Sequence, residues 1–213
     1  MFALAIYDTD KQTVLLLRDH QGIKPLYYYA KDGVFAFTSE VKGLTKFLRE
    51  KKISLELDHK ALELYMVFGY IPSPYSLYKD VLKLPKGSYL TYDLKNKKVL
   101  ETGRSVTVSK KVVTEQEYID LIEKKVLMHL IADVPVGVFF SGGTDSTLIA
   151  AILHKHKVDL ETFSIKLDYK TEDAKYFGMI SEHLQLKSNV YDFDVNTLDS
   201  VYEEVMGKLD EPT

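Results

Sequence analysis

The sequence predicts an α/β protein with an α+β N-terminal part, and three observations carry that prediction. Short strand pairs separated by polar turns fill the first third. Strands alternate with helices through the second half, the pattern of a parallel sheet with crossover helices. Between them, the apolar run Val134–Phe140 breaks into the turn Ser141-Gly142-Gly143-Thr144-Asp145-Ser146, where a strand hands over to a helix.

In order along the chain, Phe2–Tyr7 and Thr13–Leu17 flank the polar turn Asp8-Thr9-Asp10-Lys11 and read as a hairpin. Leu26–Ala30 and Val34–Thr38 flank Lys31-Asp32-Gly33, a second hairpin signal. A helix is expected from Ser39-Glu40, with Val41, Leu44, Phe47 and Leu48 on one face. Asp58–Phe68 reads as another, with Asp58 as N-cap and Leu62, Tyr65 and Met66 inward, ending in the proline loop Gly69–Pro74. Strands resume at Ser88–Tyr92 and Lys98–Glu101, and the aperiodic polar stretch Gly103–Lys111 places a domain junction.

An amphipathic helix over Glu115–Ile131 opens the second half, with Tyr118, Leu121, Ile122 and Leu130 on related faces. Strand Val134–Phe140 reads as buried. Helix Thr147–Lys155, strand Leu160–Leu167, helix Thr171–Leu184, strand Asn189–Phe193 and helix Leu198–Gly207 follow. The expected division is 1–108 and 109–213.

Bulk properties exclude several classes. Hydrophobic residues at 46% and charged residues at 28% are those of an ordinary globular chain. A formal charge of −3 argues against a surface built for nucleic-acid backbone. No apolar run approaches the roughly 20 residues that span a bilayer, and Met1–Asp8 lacks the basic start of a signal peptide, so a cytoplasmic protein is expected. Without cysteine there is no disulfide, thiolate metal site or cysteine nucleophile.

The turn carries the functional signal. A strand, a Gly/Ser turn and a helix aim several amides and the positive end of a helix dipole at one point, which suits phosphate or pyrophosphate. Ser141 and Ser146 add hydroxyls, and Asp145 stands where a carboxylate holds Mg²⁺ against phosphates. The spacing is not the lysine-containing phosphate loop, nor the three-glycine dinucleotide fingerprint. A plain turn capped by Asp145 or Ser146 also fits the bare hexapeptide, but its position beyond the carboxyl end of a parallel strand favours a ligand site.

Val134-Pro135-Val136-Gly137-Val138-Phe139-Phe140-Ser141-Gly142-Gly143-Thr144-Asp145-Ser146 resembles the PP-loop of glutamine-dependent asparagine synthetases. Arg18–Tyr28 and Thr38–Leu44 are similar to the later part of that family's glutaminase domain. Phe68–Pro72 and Lys83–Leu90 resemble segments just before its domain junction. Thr162–Ile165 and Leu209–Pro212 match synthetase segments, in order.

The resemblance implies the end of an N-terminal-nucleophile αββα glutaminase domain, then the start of a parallel-sheet, PP-loop adenine-nucleotide α-hydrolase-like domain. It implies ATP and Mg²⁺, with the aspartate side chain activated as an acyl-adenylate and attacked by ammonia drawn from glutamine. The products are asparagine, AMP and pyrophosphate. Carried over by position, Ser141, Gly142, Gly143 and Ser146 hold pyrophosphate within the loop that includes Thr144. Asp145 binds Mg²⁺, and Phe140 and Ile165 line the adenine pocket.

Departures from the family set further expectations. Phe2 stands where the family has its nucleophilic cysteine, so glutamine hydrolysis by that mechanism is not expected. The family's later acidic segment and catalytic lysine have no counterpart before Thr213, so the chain reads as an internal piece of a synthetase. Thr144 replaces a usual leucine, and Lys166 a common glycine. An amidotransferase or cyclase acting on another carboxylate, of the β-lactam synthetase or polysaccharide-modifying kind, is the alternative. An inactive nucleotide-binding remnant is another. An incomplete sheet edge makes pairing into a homodimer an expectation.

Three remaining signals read as structural. Arg18-Asp19-His20 has the residue types of a catalytic cluster, but the family resemblance implies that Arg18 and Asp19 organise a turn. His154 and His156, two apart on a helix, do not share a face and read as surface residues. Glu203-Glu204 and Asp210-Glu211 read as solvated faces.

Overall fold

A computed structural model describes residues 1–107, 110–159, 161–166, 172–193 and 198–211. They fall into two compact units, one from within 1–109 together with 204–213, the other from within 110–203.

The first unit is layered from two sheets and a helix. Strands β1 (Ala3–Asp8) and β2 (Thr13–Arg18) form the first predicted hairpin, and β3 (Tyr27–Lys31) and β4 (Val34–Thr38) the second. Helix α1 (Val41–Glu50) and helix α2 (His59–Phe68) follow, then β5 (Val81–Lys83), β6 (Ser88–Asp93) and β7 (Lys98–Arg104). The sheets run β1-β2-β6-β7 and β4-β3-β5, all antiparallel.

Period-two alternation along β3 explains the layering. Tyr28 and Ala30 pack with Phe35 on a core of Val14, Leu16, Leu26, Leu84, Leu90 and Tyr92. On the other face, Tyr27 and Tyr29 meet Val41, Leu44 and Leu48 of α1, with Val81. The Phe35 and Tyr92 rings stack with centroids 4.0 Å apart.

Helix α2 begins as expected, with the Asp58 carboxylate accepting from the amides of Lys60 and Ala61. Its packing differs: Ala61 is buried, whereas Met66 is 82% exposed and points away from the core. Leu62 and Tyr65 are half-buried, Ala61 is fully buried, and the apolar residues of the last turn lie open. Strand β5 was not foreseen, because three residues are too few to show alternation. Strand β7 continues through Arg104, so the start of the expected polar junction is sheet.

Asp210 and Glu211 correct the reading of that pair as a solvated face. Asp210 accepts hydrogen bonds from the first two amides of α1, and Glu211 is an almost buried partner of Lys83.

The second unit begins with α3 (Glu115–Met128), fixed by a capping box between Thr114 and Glu117. None of its residues is fully buried, and Tyr118 and Leu121 of the expected apolar faces are exposed. Then come β8 (Gly137–Phe139), α4 (Thr144–Lys155), β9 (Glu161–Lys166), α5 (Glu172–His183), β10 (Lys187–Asp192) and α6 (Leu198–Lys208), whose residues from 204 onward group with the first unit. Residue 160 and residues 167 and 171, at the ends of expected elements, lie outside the described residues.

Strands β8, β9 and β10 pair in parallel in the order β10-β9-β8. The expected buried strand Val134–Phe140 is shorter and more open, since only Gly137–Phe139 pairs and Phe139 is 86% exposed. The cause is that this sheet is buried on one side. Thr162, Ser164 and Phe140 are buried there, and the Phe140 ring meets Phe177 of α5 at 5.3 Å. Phe139, Ile165 and Tyr191, on the opposite side, are exposed. No helix among the described residues is long and apolar enough to cross a membrane.

Candidate functional site

The site grows from the end of β8. The Phe140 amide donates to the Phe163 carbonyl at 2.8 Å, and its own carbonyl accepts from the Ser164 hydroxyl. Phe140 thus fixes the height at which the chain leaves the sheet. Gly142 follows at φ 83, a left-handed conformation that a side chain would strain, and turns the chain into α4. The helix starts three residues earlier than its periodicity suggests, so Thr144, Asp145 and Ser146 form its first turn.

Gly143 sits at the N-cap and has no side chain to cap with, leaving the first amides of α4 without a side-chain acceptor from the cap position. The two serines close the turn instead. Their hydroxyl oxygens lie 3.2 Å apart. Ser141 Oγ accepts from the Gly143 amide at 3.3 Å, and Ser146 Oγ donates to the Gly143 carbonyl at 3.1 Å. Amides, hydroxyls and the positive end of a helix therefore converge on a few ångströms of surface. Asp145 is exposed on that first turn, able to reach a cation bound beside an anion. Among the described residues no three acidic or imidazole groups cluster as a ready-made metal cage. A single carboxylate suits Mg²⁺, which keeps waters and takes its remaining ligands from phosphates. The residues present fit a Mg-nucleotide.

A cavity of about 280 Å³ opens at the carboxyl ends of the strands, lined by Phe139, Phe163, Ser164, Ile165, Tyr191 and Phe193 among others. Its walls are almost wholly apolar and aromatic, suited to a flat ring system. Ile165 lines it. Phe140 does not, because its side chain is 1% exposed and turned to the other side of the sheet. The aromatic wall comes from Phe139, one residue earlier, together with Tyr191 and Phe193, which sequence reading passed over. The signal was strand parity: if Phe140 is buried beneath the sheet, Phe139 must face the other way. Gly137 belongs to the same face, and a Cβ there would lie 2.5 Å from the Phe163 ring. The glycine gives Phe163 its place. The Lys166 side chain lies outside the described residues.

The other candidates are structural in their contacts. Arg18 donates to the carbonyls of Lys24, Leu84 and Gly22 at 2.9, 2.7 and 2.8 Å. Asp19 accepts from the amides of Phe2, Gln21, Ile23 and Lys24. Burial opposes ionisation of Asp19, but those amides outweigh it and hold its pKa far below the usual carboxylate range. His156 and Lys155 both meet Glu123, whose pKa they lower, and His154 stands in the exposed last turn of α4.

Comparison with known proteins finds two families in succession along the chain. The glutamine amidotransferase domain family matches residues 1–105, and the asparagine synthase family matches residues 117–213. The chain is 30% identical, over its full length, to the Methanocaldococcus jannaschii protein named "Putative asparagine synthetase (glutamine-hydrolyzing) 2", covering 42% of that relative. It is 33% identical to Bacillus subtilis asparagine synthetase (glutamine-hydrolyzing) 1 over 78% of this chain and 26% of the relative. It is also 33% identical to Escherichia coli asparagine synthetase B (glutamine-hydrolyzing), over 73% of this chain and 24% of the relative. The chain thus spans less than half the length of these relatives. With both family matches in order and the relatives agreeing, the chain belongs to the glutamine-hydrolysing asparagine synthetase family.

Proposed function

We propose that residues 109–213 carry the nucleotide half of an ATP-dependent amide-forming site and that residues 1–108 are part of a glutamine amidotransferase domain. The observation that supports this most is the uncapped N-terminus of α4, flanked by the Ser141–Ser146 hydroxyl pair and opening beside an aromatic cavity. The amides of the first turn, with Ser141, Gly142, Gly143, Thr144 and Ser146, would cradle the β- and γ-phosphates of ATP. Asp145 would hold Mg²⁺, which neutralises the charge that develops as pyrophosphate leaves. The cavity wall of Phe139, Phe163, Ile165 and Tyr191 would take the adenine, with Phe140 setting the loop's height from below.

In this reading the substrate carboxylate is that of aspartate, activated at the α-phosphate with release of pyrophosphate. Ammonia then displaces AMP to give asparagine. The names of the relatives support aspartate as acceptor. With no cysteine in the chain, glutamine hydrolysis by a cysteine thiol is not part of the proposal for this polypeptide. The cytoplasm is the proposed location, where ATP and aspartate are at hand.

Titration calorimetry of the whole chain with ATP and Mg²⁺ tests the reading. Saturable binding that Asp145→Ala reduces at least about tenfold, and that removing Mg²⁺ weakens similarly, is expected. Undiminished Mg-ATP binding by the variant would remove Asp145 from the site.

A further inference from the structure

We propose that Asp210 and Glu211 form an acidic latch that fastens the chain leaving α6 into a receptor on the first unit. That receptor is built from the N-terminus of α1, Lys42 and Lys83. The N-cap residue of α1, Glu40, makes no side-chain cap. The first two amides of the helix are received instead by the Asp210 carboxylate, from Val41 at 2.5 Å and from Lys42 at 3.0 Å. A carboxylate here satisfies two orphan donors and meets the positive end of the helix.

Lys42 answers in the opposite direction. Its Nζ donates to the Gly207 carbonyl at 2.5 Å, in the last turn of α6, where a cation is favoured. Each helix end is thus capped by a charge carried on the other segment.

The second anchor is buried. Glu211 Oε2 lies 2.5 Å from Lys83 Nζ, with the side chains 9% and 14% exposed. Lys83 also donates to the Ile71 carbonyl at 2.6 Å and lies 5.9 Å from the centre of the Tyr27 ring. The Tyr27 hydroxyl donates to the same Glu211 oxygen at 3.4 Å. A charge held this deep is costly unless paired, so the pocket selects an acidic residue and discriminates against an unpaired one.

Residues 204–211 match the asparagine synthase family, yet they group with the unit that matches the amidotransferase family. Two carboxylates following a helix are what that unit recognises. They set where the chain is held after α6.

Hydrogen exchange on the full chain tests the latch. In the wild type, the Val41 and Lys42 amides, which have no acceptor within their own helix, should be protected. Asp210→Ala should speed their exchange roughly tenfold, as loss of a good cap does, and should hasten trypsin cleavage after Lys208. Asp210→Asn, which keeps an acceptor, should retain most of the protection. Lys83→Met should also speed exchange at Val41 and Lys42, although neither amide touches Lys83, because the Asp210–Glu211 segment is released as one piece. Amides in β8, β9 and β10 should be unchanged in all three. If Asp210→Ala fails to fold, the wild type decides alone. Free-peptide exchange at Val41 and Lys42, or variant rates within twofold of wild type, would overturn the latch.

Discussion

Asp19 shows how one side chain can hold a loop that no secondary structure holds. Its carboxylate, 2% exposed, gathers four amides from Phe2 and from the turn that leads into β3. The amide bonds depress its folded pKa below the value near 4 of an unfolded aspartate. Its stabilisation is therefore complete above the unfolded value and is lost as pH falls through the folded one. Asp19→Asn should cost about 3 kcal/mol at neutral pH, since an amide group brings donors to a pocket of donors. The variant should also unfold with a weaker dependence on pH below about 4. Urea denaturation at pH 7 and pH 3.5 checks both, and an equal pH dependence in the two proteins would dismiss the role. The Arg18–Asp19 pair was legible as a turn organiser through the resemblance of Arg18–Tyr28 to the family. Its partners, spread as far as Leu84, were not.

At the scale of elements, the hairpins, caps and helix order were legible because each is coded locally. Asp-Gly between alternating apolar residues gives β3–β4, and Asp58 before an apolar period gives the start of α2. What escaped depended on tertiary partners. The face of α2 could not be read from periodicity, since Ala61 and not Met66 finds the core. The side of β8 that a parallel sheet buries was likewise set by α5 and its Phe177, not by β8 itself. The strand–turn–helix of Ser141–Ser146 was legible because its glycines and serines are local, whereas the cavity beside it is lined by Phe139 and not Phe140, a difference of one residue that a period of two turns to the opposite face. Gly137 tests that geometry. Gly137→Ala should force the Phe163 ring aside at a cost of about 1–3 kcal/mol, typical of overpacking. It should also weaken nucleotide binding by reshaping the wall that Phe163 lines. Chemical denaturation and Mg-ATP titration of the same variant measure the two effects, and unchanged values in both would show that Phe163 has room to spare.

Across the whole molecule, burial is unevenly shared. Both large apolar clusters of buried residues lie in the first unit, around Leu16 and Leu90 and around Leu44 and Leu48. Among the described residues of the second unit, the buried side chains are few: Phe140, Ala150, Ile152 and Leu153 with Thr162 and Ser164. Ile131, Phe139, Ile165 and Tyr191 of that unit are exposed. Since apolar burial supplies most of the drive to fold, the second unit should melt first. Calorimetry should resolve two transitions, with the slowest-exchanging amides in β2 and β6. A ligand that binds only the folded second unit stabilises it by about 2.7 kcal/mol at a hundredfold excess over its Kd. Mg-ATP should raise the lower transition and leave the upper one in place, and Asp145→Ala should remove that shift. Asp210→Ala acts on the other unit and should lower the upper transition without abolishing the response to Mg-ATP. A single transition in the wild type would mean that the two units fold as one. If Mg-ATP moved the upper transition alone, the nucleotide site would belong to the first unit, and the assignment of the Ser141–Ser146 loop would fall.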